Sequence, residues 1–391
     1  MKRSLSTAFI ILSALCAAFC KDHPVHNQQE FDQAVTQVKP GDAIVIAAGV
    51  YNNLAFNVAV SGTEKQPITI KAEGKDKVTF TEDVYDHIFN ITGNYVVIDG
   101  FTFKACNVFK KDGKNAVLVE FFNTKNCRMT NCFFTQNTAK TQFMPIVVIS
   151  GYGEHNQIDH CSFITDIDNM EVQVKITRQD CPKFTLIEKN IFKDKPKVTW
   201  PIYNGGECVQ IGQDPILLGN MVPNATVQNN TFIHCDGEPE VISNKSTGNK
   251  YLNNYFEDCQ GELVMRGGHD CLVDGNTFKG GIGGIRVNGT GHTISNNNIS
   301  NIKTAIRLMY GMAKGKEVTG FYIAPSGCTI KNNHISNAEV GILVGDSKNA
   351  DWTGKFDVNR YPSRTMQDVA PFDNQFTDNV FTNTPKTIVY N

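Results

Sequence analysis

One six-residue phrase recurs along most of this 391-residue chain and restricts what the chain can fold into. It consists of an apolar residue, two polar or small residues, a position rich in Asn, any residue, and then Phe or Ile. It reads IDGFTF at Ile98–Phe103, MTNCFF at Met129–Phe134, IDHCSF at Ile158–Phe163, IEKNIF at Ile187–Phe192 and VQNNTF at Val227–Phe232. It returns as YLNNYF at Tyr251–Phe256, VDGNTF at Val273–Phe278, ISNNNI at Ile294–Ile299, IKNNHI at Ile330–Ile335 and FTDNVF at Phe376–Phe381. Adjacent copies lie as little as 21 to 24 residues apart. That length suits one coil of a solenoid made of three short strands and their bends, and wider separations mark loops inserted at the bends. Asn fills the fourth position at 190, 230, 254, 276, 297, 333 and 379. A side-chain amide there can donate to one neighbouring coil and accept from the other. The expectation is an all-β fold, a right-handed parallel β-helix, in a single domain over residues 21–391.

A solenoid buries its apolar faces only between neighbours, so its ends need caps. In EFDQAVTQVKPGD, Phe31, Ala34, Val35 and Val38 fall at helical spacing, and Pro40 and Gly41 stop the helix before a strand from Ala43 to Ala47. A short N-terminal capping helix follows. Leucine-rich and propeller arrays lack support, because their leucine pattern and tryptophan–aspartate pairs are missing and the chain has only 2 Trp.

Residues 1–20 read as a secretory signal, with Lys2 and Arg3 ahead of the apolar run Ala8–Ala18. Export to the periplasm or medium is expected, with lipid anchoring at Cys20 as the alternative. No later stretch is long and apolar enough to cross a membrane. The 12 Cys of an exported chain would ordinarily suggest disulfides. Cys132, Cys161, Cys235, Cys259, Cys271 and Cys328, however, lie in or beside apolar strand-like runs, where free thiols act as small core residues. A formal charge of −2 excludes nucleic acid as a bulk electrostatic partner.

The densest polar constellation is NGGECVQIG at Asn204–Gly212, CDGEPEVISNKS at Cys235–Ser246 and LVMRGG at Leu263–Gly268. On a strand, Glu238 and Glu240 would project from one face about 7 Å apart. Two carboxylates so close call for a cation, and two Glu with Asn204 form an oxygen set that suits Ca2+ better than zinc. The bland alternative is ion pairing of both Glu with Lys245 and Arg266. Lys245 is placed in a bend five residues past Glu240.

The order and spacing of these motifs resemble polysaccharide lyase family 6, which includes alginate lyases and chondroitinase B; the resemblance covers residues 25 to 345. It implies a calcium site at Asn204, Glu238 and Glu240, with Lys245 as general base and Arg266 as general acid. The intrinsic pKa of arginine makes polarisation of the leaving oxygen, or relay through water, the alternative for Arg266. Where the family commonly has Arg-His-Gly, this chain has Arg266, Gly267 and Gly268, with His269 displaced. Arg286 matches a segment near the family's substrate groove. His269, His292, Arg307 and Tyr310 are further candidates for substrate binding, with Arg360 and Arg364 weaker ones. The expected partner is an acidic polysaccharide, alginate ahead of dermatan or chondroitin sulfate, because no dense basic stretch suits sulfate groups. An inverting hydrolase using Glu238 and Glu240, or a non-catalytic polysaccharide-binding protein, are the competing functions.

Overall fold

The third position of the repeat phrase explains how each coil turns. Gly100, Asn131, His160, Lys189, Asn229, Asn253, Gly275, Asn296, Asn332 and Asp378 all adopt positive φ, between 49 and 82°. Asn, Asp and Gly tolerate this left-handed conformation best, which accounts for the small polar residues there. Each such residue ends one strand, and the next strand starts two residues later, as from Thr226–Gln228 to Thr231–Cys235.

A computed structural model describes residues 20–391 apart from positions 215, 218 and 319. The segment expected to be a secretory signal, residues 1–20, therefore lies outside the described residues except for Cys20, which is exposed. First strands of successive coils form a sheet of 13 parallel strands in chain order, from Asp22–Val25 to Gln375–Thr377. Second and third strands form ladders joined in a sheet of 23. The result is a parallel β-helix. No helix among the described residues is long and apolar enough to cross a membrane.

Inside, Asn190 Nδ2 donates to Asn230 Oδ1 at 3.0 Å, and the relation repeats through Asn254, Asn276, Asn297, Asn333 and Asn379 at 2.9–3.0 Å. Beside this ladder, Phe103, Phe134, Phe163, Phe192, Phe232, Phe256 and Phe278 stack with centroids 4.4–4.9 Å apart. The helix at Gln28–Gln37 caps the first coil. Asn27 accepts from the Glu30 N–H at 2.9 Å, and Phe31 packs on Phe56 at 4.2 Å. The eleven described cysteines are all free, nine of them buried.

Two insertions leave the last coils, at residues 310–328 and 346–372. Their aromatic residues pack together: Phe321 stacks on Phe356 at 4.8 Å, and Tyr322 lies 5.3 Å from Trp352. This wall stands beside the third-strand ladder.

Candidate active site

Four carboxylates enter successive strands of the third ladder: Glu171, Glu207, Glu240 and Glu262. Each is at most 3% exposed. Charges withdrawn from water must be paired, and each of these has its own cation. Lys195 Nζ lies 3.3 Å from Glu171, Lys245 Nζ lies 3.1 Å from Glu207, and Arg307 Nε lies 3.0 Å from Glu262. Glu240 takes two, Arg266 at 3.2 Å and Arg286 in a shorter contact, and also accepts from Ser243.

Glu238 is buried beside this column and pairs with no cation among the described residues. Its Oε1 accepts from the Gly205 and Gly206 N–H groups at 3.1 and 3.2 Å. Gly206 permits that approach, since a Cβ there would lie 2.6 Å from Val198 Cγ1 and 2.7 Å from the Gly237 carbonyl carbon. Burial pushes the Glu238 carboxyl up to about 10, with the charges of Glu207 and Glu240 adding to the effect. Burial works in the same direction on Glu240, but Arg266, Arg286 and Lys245 outweigh it and hold Glu240 down at about 2. Glu207 Oε2 is buried without a donor among the described residues. A proton carried by Glu238, or a cation standing between the two carboxylates, would satisfy it.

The oxygen-only set of Asn204, Glu207, Glu238 and Glu240, with one orphaned carboxylate oxygen, fits a hard divalent cation such as calcium. As the side chains stand, Glu240 turns to its arginines and Glu207 to Lys245. No three His, Cys, Asp or Glu among the described residues already converge as a metal cage. Above the cluster runs a cavity of about 1020 Å³ lined by Asn204, Gln210, Lys245 and Arg266, with His87 and Glu120 at one end and Phe356 and Tyr361 at the other.

The profile of the chondroitinase B family matches residues 25–388. The chain belongs to that family and is a polysaccharide lyase. No curated protein matches it. Among solved structures, a PL6 family polysaccharide lyase from Pseudopedobacter saltans is 21% identical with a TM-score of 0.75, over 94% of this chain and 91% of that one. A mannuronic acid specific family 6 lyase from human gut microbiota is 21% identical, with a TM-score of 0.73 over 92% and 82% of the two chains. A complex of an alginate lyase with G6 is 19% identical, with a TM-score of 0.73 over 95% and 84%.

In this lyase, Asn204, Lys245 and Arg266 line the cavity, with Glu240 bonded to Arg266 and Arg286 and Glu238 bonded to the turn that carries Asn204, although the six are spread over 83 residues of sequence. Lys245 is the last residue of the strand Glu240–Lys245, not part of a bend, and it pairs with Glu207 rather than with Glu238 or Glu240. Glu207, the last residue of NGGE, is a carboxylate of the site that the sequence reading passed over. Its signal was an acidic residue three positions after Asn204 in the same motif.

Three expected groove residues are buried elsewhere. His292 is 0% exposed, accepting from the Cys271 N–H at 3.1 Å and bonding the Asn288 carbonyl at 3.0 Å. His269 bonds Thr290 at 2.8 Å, and Tyr310 donates to the Asn391 carbonyl at 3.0 Å. All three use their polar atoms to close turns and coil ends, outside the cavity lining. Arg307 is held by Glu262 and Asp346. Arg360 lines the cavity, stacked 4.9 Å over Tyr361, and Arg364 pairs with Asp368. Phe321 and Tyr322, unforeseen in the sequence, lie 5.5 and 5.7 Å from the Arg266 guanidinium and fix its plane.

Proposed function

We propose that this lyase cleaves alginate by calcium-assisted β-elimination, leaving a 4,5-unsaturated uronate at the new chain end. One observation carries the reading: Lys245 and Arg266 stand at the floor of a long cavity, directly over a buried acidic cluster whose charge is incompletely matched. Asn204, Glu238 and Glu240, with Glu207, would hold the ion. When bound, calcium supplies neutralisation of the substrate carboxylate, without which the proton on C5 is barely acidic.

The chain's own groups perform the remaining work. Lys245 takes the C5 proton on its amine lone pair as the C4–O bond breaks. Arg266 is less suited to giving up a proton: burial disfavours its charge, but Tyr322 and the Glu240, Glu238 and Glu207 carboxyls outweigh this and raise its pKa above the ordinary arginine value. Its role is to polarise the leaving oxygen through the part of the guanidinium that lines the cavity, while that oxygen takes its proton from water. Arg286 keeps Glu240 ionised and in place.

Alginate is preferred because the chain has no dense basic stretch for sulfates, and because an alginate lyase and a mannuronic acid specific lyase share its fold. Such a polymer is met outside the cytoplasm, in keeping with the export expected from residues 1–20. The test is ultraviolet absorbance of the conjugated double bond, on block-defined alginates and dermatan sulfate, with calcium and with chelator. Absorbance growth on alginate that chelator stops is the expected result. New reducing ends without absorbance would make the protein a hydrolase, and growth on dermatan sulfate alone would move it to the other substrate.

A further inference from the structure

We infer that Phe143 is a stacking platform for a sugar ring of the polymer, one subsite away from the bond that is cut. The residue is conspicuous on two independent grounds. The residue is 46% exposed and lines the cavity that holds Lys245 and Arg266. Its backbone has φ 63°, a conformation that a bulky aromatic residue adopts only at an energetic cost.

The surroundings impose that conformation. Asn115 Nδ2 donates to the Phe143 carbonyl at 2.9 Å, and the Met144 N–H donates to Asn169 Oδ1 at 2.8 Å. On the other side, Gln142 Nε2 donates to the Ile202 and Asn204 carbonyls at 2.9 and 2.8 Å, tying this loop to the turn that carries Asn204. The ring then lies against Gly205: a Cβ there would come 3.0 Å from Phe143 Cδ1. A strained, pinned, exposed aromatic ring contributes little to the core. It does present a flat apolar face to the cavity at a fixed position beside Asn204.

A pyranose ring offers a face of C–H groups that such a platform fits, while its carboxylate needs a cation; Lys114 and Lys175 line the same cavity. The inference rests on the proposed reading as a uronate lyase. A sugar stacked on Phe143 would neighbour the one whose carboxylate lies over Asn204 and the acidic cluster, so the contact is present in ground and transition states alike and acts on binding rather than on the chemical step.

The test compares Phe143→Asn, which suits positive φ but removes the ring, with Phe143→Tyr, which keeps it. For Phe143→Asn, KM on alginate should rise about tenfold with kcat unchanged, the scale of one lost aromatic contact. Its melting temperature should match or exceed wild type, and Phe143→Tyr should retain the wild-type KM. An unchanged KM for Phe143→Asn overturns the platform while leaving the lyase reading intact. A markedly lower melting temperature overturns it too, because the ring would then be structural. If wild type yields no double bond on any uronate polymer, the lyase reading fails. Calorimetric binding of alginate oligomers then decides the platform: about tenfold weaker binding by Phe143→Asn supports it, and equal binding overturns it.

Discussion

At the scale of single residues, the site is a set of buried charges whose members are not interchangeable. Lys245→Ala should remove double-bond formation, by about 10²–10⁴ in rate for a lost general base, while alginate still binds and the fold remains. The side chain ends a strand and touches neither the Asn ladder nor the Phe stack, so losing its ion pair with Glu207 should lower the melting temperature without unfolding the coil, and near-wild-type absorbance growth would remove Lys245 from the mechanism. Glu240→Gln should fail differently. It strips two arginines of their shared carboxylate and should cost about 2–4 kcal/mol, read as a lower urea midpoint. Excess calcium should recover part of its activity and none of that of Lys245→Ala. Most of this site could be read from spacing, since Asn204, Glu238, Glu240 and Arg266 are brought together by whole coils. Glu207 was hidden because its partner Lys245 is 38 residues away, across inserted loops that break the simple count. His269, His292 and Tyr310 were misleading for a related reason: a polar aromatic residue at a bend reads alike whether its ring faces the cavity or plugs a turn.

At the scale of elements, the coil is held by two columns, and their contributions differ. Asn254 accepts from the Asn230 N–H and side-chain amide and donates to Asn276 and to the Val227 carbonyl. Asn254→Ala orphans groups in both neighbouring coils and should cost about 2–4 kcal/mol, measured as a shift of the denaturant midpoint at constant slope. These columns were legible because their period is enforced by stacking. The insertions at 310–328 and 346–372 have no period, so the aromatic wall over Arg266 could not be foreseen. The turn that buries His292 gives the coil a pH response. Burial holds His292 down at about 4, from 6.5 for a free side chain. Between those values the unfolded chain binds a proton that the native chain does not. Stability present above pH 6.5 is therefore lost as pH falls toward 4, by up to about 3 kcal/mol. Melting temperatures across that window should drop, and His292→Gln should reduce the dependence, leaving the part due to His269, which burial also holds down at about 4; an unchanged slope would remove His292 as a source.

At the scale of the whole molecule, the core is a continuous column rather than a ball, and thiols line it. Of the described cysteines, only Cys20 and Cys181 are not buried, and burial raises the thiols of Cys106, Cys208 and Cys271 to about 12, 11 and 12. A thiol reagent should label Cys181 in the folded protein, with Cys20 where residues 1–20 are retained, and the nine buried cysteines only after denaturation, and a reductant should leave the melting temperature unchanged. A fall on reduction would reveal disulfides. The amide ladder has a last consequence, for the length of the molecule. Asn254 passes its hydrogen bond to Asn276, 22 residues on, and only a residue at that same point of the turn can receive it. Removing residues 255 to 276 would join Asn254 to Thr277 and Phe278 and restore the phrase as YLNNTF, whereas removing half as many would set every later amide against the wrong wall. The molecule's size is thus quantised: between its bends it can shrink or grow only by whole turns, and all its freedom of length is confined to the loops.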